Sequence, residues 1–455
     1  MKNYTLLFIV YLSTLQIHSQ NSTDFNIPVS LSENADAIVK EHTEKIEIKS
    51  QQKLVHQISR KIIVLNEKGK NYVNAYLYYD DDCTIKNLEA KVYNMSGLEL
   101  KKITKKDFKD IAVDDGFSLQ LEGRIKYLEY TPTSYPYMVN FTSTYETTNT
   151  AFIPRWIPFD NYNVSIEKSS IEINYDTTLG FRFLEKNFDR YVILKELTAN
   201  NVKYELRDLP AQKAEPYGIS SSENFPEVLF AVNNFHLKGV NGYATTWNEL
   251  GAWFYEKLYK TQTDLSPETI LKIKALTENA KTPIEKAQIV YKYVQDKTRY
   301  ISIQLGIGGW KPMQAKDVDK LGYGDCKALT NYTHSLLKVV GVESYLTLIQ
   351  SDNNKIGLEK DFPSMQGNHM ILCIPSEENI FLECTSQKIP FGYIGQSNED
   401  REVLIITPEG GKMVKTNKYK TQENLLKTYA NVIVDNQGNA KTELSRVFSG
   451  AQLDY

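Results

Sequence analysis

The apolar residues of this chain change their spacing partway along, and that change limits the architecture more than any single motif. From Lys45 they alternate with polar residues, first in Lys45-Ile46-Glu47-Ile48-Lys49 and then through the run Val55 to Leu65. A period of two marks a strand with one buried face. Strand-like runs follow at Tyr72 to Tyr79, Ile85 to Tyr93, Ile125 to Tyr130, Met138 to Tyr145, Ser165 to Tyr175 and Tyr191 to Glu196. Turns such as Asn94-Met95-Ser96-Gly97 part them. Many short strands and few helical stretches predict an antiparallel, sandwich-like β-rich domain over residues 36–225. Asp80-Asp81-Asp82 reads as a solvated turn, since no calcium loop follows it.

Between Pro210 and Pro226 the chain turns loop-like, with Gly218 and Ser220-Ser221-Ser222 inside the stretch. From Thr246 the period is helical: Trp247, Leu250, Trp253 and Phe254 recur on one face. Ser266-Pro267-Glu268 and Thr282-Pro283-Ile284-Glu285 are helix starts, each with a capping hydroxyl and a proline at the first position. The second also has the spacing of a capping box, Thr282 to Glu285. A further helix is predicted from about Asp325 to Val340, with Leu329, Leu336, Leu337 and Val340 as its apolar face and Gly341 as its stop. Strands are expected at Ser344 to Ile349, His369 to Ile374, Ile380 to Thr385 and Val403 to Ile406, with a long polar loop from Asp352 to Gln366. Helices followed by strands make residues 246–410 an α+β domain. After Leu425 alternation returns on both sides of Asp435-Asn436-Gln437-Gly438-Asn439. That predicts the first hairpin of a C-terminal β-rich domain, residues 425–455. A lone hairpin is marginal in water, so the chain is expected to continue past Tyr455.

The first residues carry a different message. Met1-Lys2-Asn3 is a positive start, Thr5 to Leu15 is apolar, and Ser19 is a small residue suited to cleavage. Residues 1–19 therefore read as a secretory signal peptide, which implies an exported, periplasmic or extracellular bacterial protein. No later stretch approaches the roughly 20 apolar residues of a membrane span, so no stable transmembrane segment is expected after cleavage. The 53 basic and 56 acidic residues nearly balance, and no basic run stands out, which excludes an electrostatic case for nucleic acid. The four cysteines, Cys83, Cys326, Cys373 and Cys384, form no CxxC pattern, so neither a metal nor a cofactor is expected. A glycine-rich turn, Gly306-Ile307-Gly308-Gly309, lacks the ending of a phosphate loop.

One cysteine is well placed for chemistry. In Tyr323-Gly324-Asp325-Cys326-Lys327-Ala328-Leu329, Cys326 stands where a glycine turn enters a helix. Unpaired N–H groups and the helix dipole favour a thiolate there. A cysteine nucleophile also needs a base and a group to orient that base. His369 opens one predicted strand and Glu383 lies in the next. A hairpin in which residue numbers across the ladder sum to 754 puts His369 and Glu383 diagonally on one face. It also puts Cys373 and Cys384 on opposite faces, against a disulfide. His334 lies about 12 Å along the helix from Cys326 and is a poor partner.

The stretches Arg299-Tyr300-Ile301, Gly306 to Pro312, Tyr323 to Lys327 and Leu336 to Val342, with Asn368-His369 and Leu382-Glu383-Cys384-Thr385, resemble the transglutaminase-like core of the papain-like thiol enzymes. Ala35-Asp36-Ala37 and Leu65-Asn66-Glu67-Lys68-Gly69 in the first half resemble DUF3857, which precedes that core in exported bacterial proteins. The resemblance implies Cys326 as nucleophile, His369 as general base and acid, and Glu383 where the superfamily usually has Asp. Trp310 and Gln304 are candidate oxyanion donors beside the backbone N–H of Cys326. The expected activity is thiol attack on a protein or peptide amide, giving a peptidase or amidase with water and an acyl transferase with an amine. The alternative is an inactive binding or assembly module on the same fold. Neither substrate nor oligomeric state is written in the residues.

Overall fold

Strand-forming segments dominate the first half, and their pairing builds one large sheet. The computed structural model describes residues 25–454 except Phe117, Ile219, Asn354 and Lys355. The expected signal peptide lies outside the described residues. From edge to edge the sheet runs Ile193–Leu197, Asn201–Leu209, Val164–Tyr175, Ala37–Ser50, Lys53–Val64, Tyr137–Thr147, Cys83–Asn94 and Glu99–Thr104. All neighbours are antiparallel except one pair, since Ala37–Ser50 runs parallel to Val164–Tyr175. The predicted antiparallel sheet is therefore mixed. A parallel pair needs a long connection, and here it is the whole excursion between the two strands. The arrangement departs from a plain sandwich too, for small sheets accompany the large one. Tyr76–Tyr79, Arg124–Tyr127 and Lys109–Ala112 form a three-stranded sheet. Phe181–Lys186 pairs with Glu227–Val232.

Burial follows the pleat. Ala37, Val39, Ile46 and Ile48 enter the main core, with Trp156 and Tyr204 stacked in it. Ile38, Ile63 and Met138 face the other way and are covered by Leu31 of the lead-in segment.

The second half is α+β. Its sheet runs Ile380–Leu382, His369–Ile374, Tyr345–Ile349, Glu402–Thr407 and Gly410–Lys415, antiparallel throughout. Helix Cys326–Val339 lies on one face, where Leu329, Tyr332 and Leu336 meet Leu372, Leu382 and Cys384. Ile349, Ile371, Cys373 and Phe381 pack on the other. Gly341, at φ +73°, ends the helix as expected, with Val342 N–H bonded to Leu337 O at 3.0 Å and Gly341 N–H to Lys338 O at 3.2 Å. Helices Pro267–Leu276 and Pro283–Lys297 begin at Ser266 and Thr282, whose hydroxyls accept the expected backbone N–H groups. The box at Thr282 is half made, because Glu285 bonds Lys281 N–H and not that of Thr282. The complete box is at Thr246 and Glu249, before helix Trp247–Phe254.

The two halves share one apolar core. Trp247, Phe254 and Tyr259 join residues of the large sheet to Cys326, Leu348 and Met370. Hairpin Leu426–Val434 and Ala440–Phe448 is formed as expected and exposed along its length. Among the described residues no helix is long and apolar enough to cross a membrane.

Candidate active site

Cys326 is the first residue of its helix, and its position is fixed from both sides. Asp325 caps the helix by accepting Ala328 N–H at 2.9 Å and forms a buried ion pair with Lys327. The entering turn is pinned to the residues after helix Pro283–Lys297. Arg299 N–H bonds Gly322 O at 3.1 Å and Ile301 N–H bonds Gly324 O at 3.0 Å. A Cβ on Gly324 would lie 2.8 Å from the Ala328 Cβ, so glycine lets the turn close on the helix. Within the helix the buried hydroxyls of Thr333 and Ser335 bond back to Leu329 O and Asn331 O. Thr330 reaches across to Met370 O at 3.2 Å, tying the helix to the strand that His369 opens.

That strand and the next have the predicted register, with Leu372 opposite Leu382 and Ile374 opposite Ile380. The ladder stops at Leu382, and Glu383 follows it. The His369 Nε2 nevertheless meets Glu383 Oε2 at 2.8 Å. The other oxygen of Glu383 accepts Thr385 N–H at 2.9 Å and the Thr385 hydroxyl at 2.6 Å, and Asn398 Nδ2 adds a third partner at 3.2 Å to Oε2. Both groups are largely withdrawn from water. Burial opposes the imidazolium of His369, but the Glu383 charge, the hydrogen bond to Cys326 and the bond to Glu383 outweigh it. The His369 pKa stands well above its ordinary value. Burial likewise raises Glu383, and the charge and hydrogen bond of His369 with the Thr385 bonds outweigh that and hold it below the usual carboxylate range. With Nε2 engaged by Glu383, Nδ1 is the nitrogen left to the thiol. Such a set can take a proton from sulfur and return it to a leaving group.

Cys326 and His369 line a cleft of about 660 Å³ formed by both halves of the chain, and Glu383 is buried and bonded to His369. Gln304 and Trp310 line it as well. Trp310 lies against Phe152 of the first half, with ring centroids 5.3 Å apart. His334 is elsewhere, bonded to Ser344 at 3.1 Å, and burial beside Lys338 lowers its pKa to about 4. The other three thiols are pushed up to about 12 by burial, reinforced at Cys83 by Asp80. All four cysteines are free, and Cys373 and Cys384 enter different cores.

Several residues in and around the site carry no sequence signal. Asn398, which steadies Glu383, lies in a short turn with no pattern of its own. Tyr259 reaches the cleft from a single π-helical turn, Tyr255–Tyr259, closed by Lys260 N–H on Tyr255 O at 2.9 Å. Asp80 and Asp82 are not simply solvated. Both bind Lys238 on the far wall, at 2.6 and 2.8 Å.

Residues 51–213 match the family described as a Domain of Unknown Function with solved structure, DUF3857. No curated protein matches the chain. Among solved structures the chain is similar to a "putative protease" from Parabacteroides distasonis. The two are 13% identical with a TM-score of 0.63, over 84% of this chain and 72% of that one. At that identity the likeness is one of fold. An M1 zinc metallopeptidase from Deinococcus radiodurans (8% identity, TM-score 0.21, 47% of this chain and 46% of that one) and a yeast LTA4 hydrolase (12%, 0.23, 52% and 35%) are too distant in fold to inform this site.

Proposed function

We propose that this chain is an exported thiol enzyme of transglutaminase-like type that acts on amide bonds. The observation that carries the reading is that Cys326 and His369 line one cleft while buried Glu383 is bonded to His369 at 2.8 Å. In the reaction, Cys326 Sγ attacks the carbonyl carbon and its proton passes to His369. His369 then protonates the departing amine as the C–N bond breaks. Glu383 keeps Nε2 engaged and balances the imidazolium. Backbone N–H of Cys326, with Gln304 and Trp310 as side-chain candidates, receives the oxyanion. Water resolves the thioester in a peptidase or amidase, and a primary amine resolves it in an acyl transferase. The Parabacteroides protein's description as a "putative protease" agrees with a peptide substrate.

The test is turnover of a panel of peptide amides, with and without an added primary amine, by wild type, Cys326→Ala and His369→Ala. Release of amine by wild type and loss of about a thousandfold or more in both variants is expected. Equal turnover by wild type and Cys326→Ala, or none by a folded wild type across the panel, sinks the reading. The second result leaves a binding or assembly module on this fold.

A further inference from the structure

The first half of the chain reaches into the site. Its strand Ser118–Leu121 pairs in parallel with Ser302–Gln304, with Ser302 opposite Ser118 and Gln304 opposite Leu121. The next residue, Glu122, bridges the halves. Its Oε2 accepts Gly306 N–H at 2.8 Å and Lys238 Nζ at 3.1 Å. Gly306 has φ +51°, and Cβ atoms built on Gly306, Gly308 or Gly309 would meet nothing within 4 Å. Packing at those three positions therefore does little to hold the glycine turn, and glycine backbone is costly to order. The Glu122 bond and the strand pairing anchor the start of the loop, while Ile307 and Trp310 pack its far end against the shared core. The anchored loop begins at Gln304 and ends at Trp310, and both line the cleft with Cys326. Gln304 is itself oriented, its amide donating to Ser302 Oγ at 3.0 Å, which also accepts the Ser118 hydroxyl at 2.9 Å.

We propose that Glu122 is a positioning residue for the Cys326 site, contributed by the N-terminal half: through Gly306 N–H it holds the Gln304–Trp310 loop where that loop's donors meet the oxyanion of an acyl substrate. The proposal rests on Cys326 being the nucleophile. It gives the N-terminal domain a part in the reaction, since the loop is anchored from outside its own domain.

Two reagents separate positioning from folding. With p-nitrophenyl acetate, Cys326 Sγ bonds to the carbonyl carbon and an oxyanion forms. The C–O bond then breaks to release p-nitrophenolate, and the thiol proton goes to His369. With iodoacetamide, Sγ bonds to the methylene carbon and iodide leaves, with no oxyanion. Full-length wild type, Glu122→Ala, Glu122→Asp and Glu122→Gln are compared, with modification of Cys326 read by peptide mass spectrometry. Acylation in Glu122→Ala is expected to fall about tenfold or more while alkylation stays within about twofold. Glu122→Asp keeps the charge for Lys238 but is a methylene short of Gly306, and it is expected to fall with Ala. Glu122→Gln keeps an acceptor for Gly306 and is expected within about threefold of wild type. If Glu122→Ala unfolds, the Asp and Gln pair decides. Wild-type acylation in the Ala and Asp variants, or a parallel fall of both reactions, overturns the role of Glu122. Failure of Cys326 itself to be acylated and alkylated in wild type overturns the nucleophile instead.

Discussion

Glu383 reaches the Nε2 of His369 at 2.8 Å from a position just past the end of its strand. The hairpin register puts the two residues diagonally across the ladder. The longer glutamate side chain spans that diagonal, while Thr385 holds the second carboxylate oxygen. A glutamate at this position thus has the reach to orient the imidazole.

Removing the carboxylate leaves a buried imidazolium without its counter-charge. Glu383→Ala is expected to lower the unfolding free energy by about 3 kcal/mol, read by urea denaturation near neutral pH. A loss under about 0.5 kcal/mol means the pair does not operate as a buried ion pair.

The same pair sets a pH dependence. The folded-state pKa of His369 is raised, with burial opposing and Glu383 and Cys326 prevailing. Its contribution is therefore fully present below the unfolded value of about 6.5 and is lost as pH rises through the higher folded value. The stability gap between wild type and His369→Gln is expected to be widest near about pH 6 and to narrow steadily toward alkaline pH. A gap that widens with pH contradicts the assigned direction.

Thiol chemistry should single out one cysteine of four. Burial pushes Cys83, Cys373 and Cys384 up to about 12, whereas Cys326 opens into the cleft and faces His369. Limiting iodoacetamide at neutral pH is expected to label Cys326 at least about tenfold faster than the others, and His369→Ala to remove that preference. Cys83 shares the cleft and is the internal control. Equal labelling of the two refutes the expectation.

A packing test bears on the helix that leads to Tyr259. Gly251 of helix Trp247–Phe254 lies against strand Gly410–Lys415, and a Cβ there would stand 2.2 Å from Gly411 Cα. Backbone meets backbone, so rotamer changes cannot relieve the clash. Gly251→Ala is expected to cost about 2 kcal/mol, seen as a lowered melting temperature. An unchanged melt would show that helix and strand can separate freely.

Features carried by near neighbours were legible in the sequence. The capping hydroxyls at Ser266 and Thr282, the stop at Gly341, the 754 register and the entry of Cys326 into its helix all depend on residues a few positions apart. Backbone geometry and short-range hydrogen bonds decide such features, so they can be read in one dimension. Weakly patterned pieces were missed: the exposed strands Glu99–Thr104 and Lys109–Ala112 alternate poorly, and helix Ala315–Leu321 is short and has no side-chain cap.

Tertiary structure alone decided which distant pieces meet. The parallel contact of Ala37–Ser50 with Val164–Tyr175, the approach of Asn398 to Glu383, and the grip of Glu122 on Gly306 across 184 residues have no local signature. They follow from burying two apolar faces in one shared core, which brings polar groups together as a consequence. The sequence determined a cysteine at a helix start, with a histidine and an acid on one face of a hairpin. Only the packing of the two halves made a cleft at the cysteine and histidine and anchored its loop.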